Sequence, residues 1–536
     1  MDGSRFDVQR LDHLGLVAGF CKAIGLEELI NTRMPKVSHN SMISNGTLLV
    51  AMILNGLGFV SRTLHMYPEY FSEKPTERLL GKGILPSHIN EDVMGRFLDS
   101  LYEEGVSELY QNIAARVVTY LKLPCNSLNL DTTSFHLDGQ YERDIDAQSI
   151  HITRGYSRDH RPDLNQVVLS LITENQAGIP LYMQAISGNV NDSETFKKTV
   201  KSHLRSLKAA YQNTYFIADS ALYTEETVQA LAEQQQLFIT RVPQKLKDAK
   251  GILAEAGDAD WMELQNGYAG VWFDSNYGGI QQRWLLIRSP QAETREKHIL
   301  DAAISKKTER SVIDFKKLMR QKFACDTDAN NALQQWINKQ EFIRINETRI
   351  VRHDKRTKRG RPGLNEEVVT TFQITGMIMT DLSSRNEAQQ TKGLFILGTN
   401  DLSEELCMQF LLDEYKSQQA VERGFRFLKS PDFLTSSLFL KKPERIEVLL
   451  MIMTCSLMVY AGIEHLIRQR LAEKNAFFPD MKKKPTQRPT ARWVFFCFQG
   501  ISVLIIDKTT EVVTNIIDRQ KIILDCLGKP YWEFYS

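Results

Sequence analysis

The spacing of apolar residues predicts a helical segment at the beginning of the chain. Apolar positions recur with helical spacing in residues 11–30, and residues 48–60 have the composition of a buried helix. Asn90 is placed to cap a further helix that extends through Leu101. Residues 1–120 are therefore predicted to form a helical N-terminal domain.

Strand-like and helical runs alternate in the segment that follows. Their order is three strands, a helix, a strand, a helix and a strand, which is the element order of a ribonuclease-H-like fold. The predicted strands lie at 127–135, 166–173, 179–186, 214–218 and 237–242, and the predicted helices begin at the caps Ser193 and Thr224. Residues 121–242 are therefore predicted to form the first part of such a core.

The closing helix of this core is predicted much later in the chain. A strong helical pattern occupies residues 403–428, and an apolar one occupies residues 445–471. We therefore predict an α/β protein with a ribonuclease-H-like catalytic core, a large insertion domain and a helical N-terminal domain. The remaining boundaries are a second core part at 393–475, an insertion domain at 243–392 and a C-terminal segment at 476–536. The insertion contains a basic patch and a predicted β-hairpin with strands at 271–274 and 283–287 and a turn at Gly278-Gly279.

Composition narrows the class of protein only slightly. Apolar residues make up 42% of the chain, and the net charge of +1 does not by itself indicate a nucleic-acid partner. The seven cysteines are scattered without a C-x-x-C pair, which favours free thiols in a reducing compartment over structural zinc. The charged N-terminus gives no sign of a secretory signal. The uncharged apolar run 448–463 is shorter than the roughly 20 residues that span a bilayer, so we expect a buried core helix and no membrane partner.

Two basic runs stand out on this neutral chain. Residues 349–361 contain seven Lys or Arg and one acid, Asp354, and residues 482–492 contain five Lys or Arg and no acid. The sequence RGRP in the first run, which contains Arg359 and Arg361, resembles the core of an AT-hook, whose arginines enter a narrow minor groove. Both runs suit contacts with phosphates, and a solvated basic loop is the alternative for each.

Three acids occupy positions that suit metal-dependent cleavage of a phosphodiester. Asp131 follows an alternating run and faces away from its leucines, Asp219 closes the apolar run 215–218, and Glu422 lies in the predicted helix. Such cleavage needs an activated water and a neutralised phosphate, which divalent cations bound by carboxylates supply. Asp131 and Asp219 are 88 residues apart, and Asp219 and Glu422 are 203 apart. Their convergence therefore depends wholly on the fold, and Asp138 is the nearest alternative for the first acid.

The predicted helix around Glu422 has two distinct stripes. Because each helical residue turns by about 100°, four polar residues fall within about 60° of one another: Tyr415, Gln418, Glu422 and Lys429. An adjacent apolar stripe with spacing i, i+4, i+7 predicts that the helix packs on the sheet, and it consists of Val421, Phe425 and Leu428.

The polar stripe resembles the Y-x2-R-x3-E-x6-K signature of DDE-type insertion-sequence transposases of the insertion sequence 4 superfamily. Gln418 stands at the arginine position, which removes a fixed charge but keeps a hydrogen-bonding group. The surrounding sequence is most similar to the insertion sequence 1634 branch. Further matching stretches span nearly the whole chain: 11–25, Asp131-Thr132-Thr133, Gly155-Tyr156-Ser157, 161–166, Gly188-Asn189 with Asp192 and Thr195, and 488–495.

This resemblance implies a DNA transposase that uses two-metal catalysis. Asp131, Asp219 and Glu422 would bind two Mg²⁺ ions, with Mn²⁺ as a substitute, and Tyr415 and Lys429 would contact the DNA end. Water would attack a phosphate at the element's end, and the freed 3′-OH would then attack target DNA. The remaining candidates for DNA contacts are Gln418, Arg426, Arg359 and Arg361.

The partners follow from the same resemblance. They are double-stranded DNA, as terminal inverted repeats and target, and a second copy of the chain in a homodimer bound to DNA. The N-terminal domain would bind the DNA ends, mediate dimerisation, or do both. The expected location is the prokaryotic cytoplasm, in association with the nucleoid.

Two other functions are compatible with the same acids. One is a ribonuclease-H-like nuclease that cleaves without strand transfer. The other is a non-catalytic DNA-binding protein derived from a transposase. The presence of all three acids favours catalysis over the second alternative, because a protein that only binds DNA has no need of them.

Overall fold

The computed structural model describes residues 6–34, 42–59, 64–137, 141, 150–155, 161–356, 368–430, 440–507 and 510–536. The chain is a mixed α/β protein and divides into two units. The first unit contains the residues up to Arg241, Asn276–Gln282, and the residues from Thr399 onward. The second contains Val242–Ser275 and Arg283–Gly398. The domain boundaries and the role of each domain that the sequence analysis gives remain predictions.

Helices dominate the beginning of the first unit, as predicted. Its elements are β1 (Phe6–Arg10), α1 (Leu14–Ala23), α2 (Leu26–Arg33), α3 (Asn45–Leu57), α4 (Tyr67–Ser72), α5 (Thr76–Leu80), α6 (Glu91–Glu104) and α7 (Val106–Leu121). The run 11–30 forms two helices rather than one, because Gly25 between them has a φ of 65° in the left-handed region. Asn90 caps α6 as predicted, since its Oδ1 accepts a hydrogen bond from the Val93 N–H at 3.1 Å.

The predicted order of strands and helices is present in the middle of the first unit. Its elements are β2 (Ser127–Leu137), β3 (Asn165–Glu174), β4 (Pro180–Ser187), α8 (Asp192–Tyr211), β5 (Tyr215–Ala218), α9 (Glu225–Glu233) and β6 (Leu237–Arg241). These strands follow the order β4-β3-β2-β5-β6, with antiparallel pairing among β2, β3 and β4 and parallel pairing among β2, β5 and β6. Thr224 caps α9 as predicted, whereas α8 begins at Asp192, before the predicted cap Ser193.

Two hairpins and two long helices occupy the segment between β6 and the end of the second unit. Its elements are α10 (Lys247–Ala254), β7 (Met262–Glu263), β8 (Ala269–Tyr277), β9 (Ile280–Arg288), α11 (Pro290–Arg320), α12 (Asp326–Ile337), β10 (Ile343–Arg356), β11 (Val368–Thr380), α13 (Leu382–Gln390) and β12 (Leu394–Thr399). The predicted hairpin is β8–β9, and its turn residues Gly278 and Gly279 have φ values of 65° and 76°. The β10–β11 hairpin was not predicted, and it packs through Ile374 against Phe315 and Leu333 of α11 and α12.

The chain returns to the first unit through the segment that contains Glu422. Its elements are α14 (Met408–Lys416), α15 (Gln419–Leu428), α16 (Pro443–Glu473), β13 (Phe478–Pro479), β14 (Pro485–Thr486), α17 (Ala491–Phe498), β15 (Ser502–Ile506), β16 (Thr510–Thr514), α18 (Asp518–Leu527) and α19 (Lys529–Trp532). The prediction of one helix over 403–428 is wrong. α14 begins only at Met408, and Ser417 and Gln418 separate it from α15. The Gln418 N–H bonds to the Tyr415 carbonyl at 3.3 Å, which is the tighter i−3 pattern of a 3₁₀ turn.

Helix α16 is the apolar helix that the sequence analysis expected to be buried. It has 31 residues, so it extends well beyond the uncharged run 448–463. Among the described residues, α16 is the one helix long and apolar enough to cross a membrane by length and composition. In the structure, however, 83% of its apolar window is buried. It packs against α1, α3, α6, α7, α15 and β4 within the first unit.

Segments of backbone cross closely at the beginning of strand β3. Thr153 forms a β-bridge with Gln166, and Gln166 Nε2 donates to the Gly188 carbonyl at 2.7 Å. A Cβ on Gly188 would lie 2.1 Å from the Gln166 carbonyl oxygen, and one on Gly155 would lie 2.0 Å from that of Gly188. Both glycines belong to stretches that the sequence analysis matched to transposases, and here their role is to let backbones approach.

We predict that Gly188→Ala lowers the free energy of unfolding by about 1–3 kcal/mol or more, because the new methyl group meets backbone that cannot move aside easily. Thermal unfolding followed by circular dichroism measures the change. Gly251→Ala is the matched control, since Gly251 lies in α10 with no atom within 4 Å of the added Cβ. This variant should leave the melting temperature unchanged or raise it. The gain in the free energy of unfolding should be at most about 1 kcal/mol. Equal melting temperatures for both variants would contradict the crossing.

Candidate active site

Asp131 and Asp219 are neighbours at one edge of the parallel strands. Leu130 of β2 pairs with Ala218 of β5. The next residue in each segment is an aspartate, Asp131 after Leu130 and Asp219 after Ala218. Because parallel strands in register carry successive residues to the same edge, the two carboxylates lie side by side. The pairing thus brings together two acids that are 88 residues apart in sequence.

Backbone and side-chain hydrogen bonds hold both aspartates. Asp131 Oδ1 accepts from the Thr132 N–H at 2.7 Å, and Asp219 Oδ1 accepts from the Ala221 N–H at 2.9 Å. The Asp219 carbonyl also accepts a hydrogen bond from Thr240 Oγ1 on β6, at 2.8 Å. Both carboxylates are half-buried, so these bonds fix their orientation at a surface that solvent still reaches.

The apolar stripe of α15 places Glu422. As predicted, the stripe residues are buried, with 2% of Val421, 6% of Phe425 and none of Leu428 exposed. They pack α15 against β2 and α16, and a Cβ on Gly424 would lie 3.1 Å from Leu457 of α16. Glu422 itself remains exposed on the helix.

The electrostatic surroundings of Tyr415 show which charges share this region. Burial raises the pKa of the Tyr415 hydroxyl to about 12, the positive charge of Arg241 opposes that rise, and three carboxylates add to it. These carboxylates are Asp219, Glu422 and Asp131. All three candidate acids therefore contribute to the electrostatic surroundings of one half-buried phenol.

The donor chemistry of this cluster fits a hard divalent cation, because carboxylate oxygens are its preferred ligands. Among the residues that the structure describes, however, no three His, Cys, Asp or Glu side chains are close enough to hold an ion together. Asp131, Asp219 and Glu422 thus gather around Tyr415 without forming a closed set of ligands.

The break between α14 and α15 is tied to strand β2. Ser417 Oγ lies 2.6 Å from the Glu414 carbonyl oxygen and 3.2 Å from Asn129 Oδ1, within hydrogen-bonding distance of both. Asn129 lies on β2 two residues before Asp131. The turn that separates Tyr415 from Glu422 is therefore anchored beside the first acid.

The other predicted DNA contacts lie along the same helix. Gln418 is half-buried at the start of α15 and makes no side-chain capping bond there, and exposed Arg426 donates through Nε to the Glu422 carbonyl at 3.5 Å. Lys429 Nζ lies 5.8 Å from the centre of the Phe135 ring, on the face of β2 that also carries Asp131. Arg359 and Arg361 lie outside the described residues.

Arg241 belongs to this cluster, and the sequence analysis missed it. It is the last residue of β6, one position beyond Thr240, which pairs with Ala218. The third parallel strand therefore ends in a charge at the same edge as Asp219. A signal was present, because the runs TYFIAD and QLFITR both close an apolar strand with a charged residue.

We predict that Arg241→Gln lowers stability by about 1 kcal/mol at low ionic strength, since a positive charge is lost from a region whose electrostatics three carboxylates also influence. Millimolar Mg²⁺ should restore the lost stability, because a cation bound by the acids replaces that charge. The measurement is the melting temperature with and without Mg²⁺.

Arg241→Lys should behave like the wild type in this experiment. Arg205→Gln removes the same charge at an exposed position on α8 and controls for net charge. If the melting temperature of Arg241→Gln equals that of the wild type in both conditions, the charge of Arg241 does not influence the acids.

Comparison with known families gives the class of the protein. Residues 138–459 match the family model described as Transposase DDE domain, and residues 6–115 match the one described as Domain of unknown function (DUF4277). The first match covers more than half of the chain, so the chain belongs to the transposase DDE domain family. Asp219 and Glu422 lie inside this match, and Asp131 precedes it by seven residues.

Two further comparisons add little. The search of curated proteins gives no match. Among solved structures, a cryo-EM structure of the piggyBac transposase synaptic complex with hairpin DNA is similar with a TM-score of 0.38 and 9% sequence identity, over 92% of this chain and 82% of that chain. That likeness is too weak to bear on the fold or the function of this chain.

Proposed function

We propose that the chain is a DNA transposase that cleaves at transposon ends and joins the freed 3′-OH to target DNA. The observation that carries this proposal is the pairing of β2 with β5, which sets Asp131 beside Asp219, together with the packing of α15, the helix of Glu422, on β2. Acids that are distant in sequence and gathered on rigid elements suit metal-dependent phosphoryl transfer. Membership of the transposase DDE domain family supports DNA as the substrate.

The strand order supports a finer assignment of the fold. Within the first unit, three antiparallel strands precede two parallel ones in the order β4-β3-β2-β5-β6. We assign this core to the ribonuclease-H-like class, with residues 243–392 as an insertion. The signature residues Tyr415, Glu422 and Lys429 support the insertion sequence 4 superfamily, and the flanking stretches support its insertion sequence 1634 branch.

The proposed chemistry has two steps. In the first, the oxygen of a water molecule attacks phosphorus at the transposon end, the P–O3′ bond breaks, and the leaving 3′ oxygen takes up a proton. In the second, this 3′-OH attacks phosphorus in the target strand, loses its proton, and displaces the target's own 3′ oxygen. Asp131, Asp219 and Glu422 would hold two Mg²⁺ ions, with Mn²⁺ as a substitute, which supply Lewis acidity for activating water and neutralising the phosphate.

The residues around the acids have roles in binding and orientation. Tyr415 stays protonated at neutral pH because its pKa is about 12, so its hydroxyl can donate a hydrogen bond to a phosphate oxygen. We propose that Lys429, Arg426 and Gln418 contact the DNA end along α15. Arg359 and Arg361 are proposed as further DNA contacts on the AT-hook-like sequence alone.

The proposed partners are the terminal inverted repeats of a transposon, target DNA, and a second copy of the chain in the DNA complex. The helical N-terminal segment is proposed to bind the DNA ends, to mediate that dimer, or both. These roles place the protein at the nucleoid of a prokaryotic cell.

We predict that Glu422→Gln abolishes both cleavage and joining but leaves the binding of DNA ends intact, because it removes a carboxylate without changing the size of the side chain. The assay combines purified protein, Mg²⁺ and the terminal repeats that bracket the gene, and it separates nicked ends from joined products. Loss of one metal ligand should reduce the rate by at least about 10²–10³-fold.

Asp413→Asn is the matched control, because Asp413 is an exposed carboxylate on neighbouring α14. It should cleave and join at the wild-type rate. Normal cleavage by Glu422→Gln would disprove the active-site assignment. A wild-type chain that cleaves without ever joining would instead be a nuclease, and one that binds ends without cleaving would be a non-catalytic DNA-binding protein.

A further inference from the structure

A cleft of about 1050 Å³ lies beside α15 within the first unit, and it is separate from the acids. Three stretches of chain form its walls: the α14–α15 segment, α16, and the residues before and at the start of α17. The turn between β3 and β4 also contributes. Neither Tyr415 nor any of the three candidate acids lines it.

The lining of this cleft is strongly basic. Its single carboxylate among the described residues is Glu464, against five Lys or Arg, which are Lys416, Arg423, Arg468, Arg488 and Arg492. Glu464 forms an ion pair with Arg468 at 2.6 Å, so the charges of the other four outweigh it. Burial and the neighbouring Arg468 lower the pKa of His465, so the cleft disfavours the charged form of this ring.

Hydrogen bonds between α16 and α17 build the cleft into the fold. The backbone N–H of Ala491 donates to Glu464 Oε2 at 2.8 Å, and that of Arg492 donates to the Tyr460 hydroxyl at 3.1 Å. Arg468 Nε donates to the Pro489 carbonyl at 2.9 Å. The basic run 482–492, which the sequence analysis left between a phosphate site and a solvated loop, is thus fixed on α16 at its Arg492 end.

The cleft and Glu422 occupy different faces of one helix. Gln419, Arg423 and Phe427 line the cleft and recur every four residues, so they share a face of α15. At about 100° per residue, that face lies roughly 100° around the helix from Glu422. Arg423 and Glu422 are adjacent in sequence, and the helix directs their opposite charges to different surfaces.

We propose that this cleft binds the phosphate backbone of duplex DNA, as a second contact beside the candidate active site. Five basic side chains and one carboxylate line the cleft, and such a spread of basic groups matches a row of phosphates better than a single anion. The choice of DNA over other polyanions rests on the proposed function. Because Arg423 in the cleft and Glu422 belong to the same helix, DNA bound in the cleft is held alongside the helix that carries Glu422.

The experiment measures how the affinity for a fluorescently labelled duplex of random sequence depends on salt, with the full chain and a chelator present so that no cleavage occurs. Each phosphate contact contributes about −0.9 to the slope of log K against log [salt]. Arg423→Gln with Arg492→Gln should therefore reduce the magnitude of the slope by about two.

Two further double variants make the result specific. Lys482→Gln with Lys484→Gln removes two exposed charges from the same basic run, outside the cleft, and should leave the slope at its wild-type value. Arg423→Lys with Arg492→Lys keeps the charges and should also keep the slope. Circular dichroism and the melting temperature check that each variant is folded.

The outcomes separate this proposal from the proposed function. A wild-type slope in the double Gln variant, or an equal loss in the Lys482 and Lys484 control, overturns the cleft as a DNA site and leaves the transposase proposal intact. Loss of the slope in the charge-preserving variant also overturns it, because the binding would not depend on charge. A wild-type chain that binds no duplex DNA overturns both proposals.

Discussion

The burial of α16 is the interaction on which the candidate active site depends. This helix packs against four N-terminal helices and against α15, and full burial of each leucine-sized side chain contributes about 1.5–3 kcal/mol. Gly424 allows α15 to approach Leu457 of α16, while Val421 and Leu428 fill the space around it. The position of Glu422 relative to Asp131 and Asp219 is therefore set by apolar packing rather than by attraction between charges.

The charges of the first unit follow from that arrangement. Three acids and Arg241 influence Tyr415. A different face of α15 lines the cleft, together with the arginines of α16 and of the α17 segment. Carboxylates alone would repel a DNA backbone, so nearby cations are needed if DNA is to approach them. A net charge of +1 conceals this separation, because the basic and acidic groups cancel over the whole chain.

Sequence patterns predicted local structure well where neighbouring residues decide it. Asn90 and Thr224 cap helices as predicted, and the Gly278-Gly279 turn joins the predicted hairpin. The errors lie where distant contacts decide the structure. The hairpin β10–β11, which was not predicted, is stabilised by packing on α11 and α12. The single helix over 403–428 breaks at Ser417, beside Asn129 of a strand 288 residues away in sequence.

The sequence by itself determined the chemical groups and their local settings: one aspartate within a strand, one directly after a strand, and a glutamate on a helix with a polar and an apolar stripe. Those features depend on residue type and periodicity, which act within a few residues. Only the tertiary structure decided that Asp131, Asp219 and Glu422 share the surroundings of Tyr415, that Arg241 joins them, and that Arg423 and Arg492 line one cleft. Such proximities depend on strand register and helix packing between segments far apart in the chain, and these have no local signature.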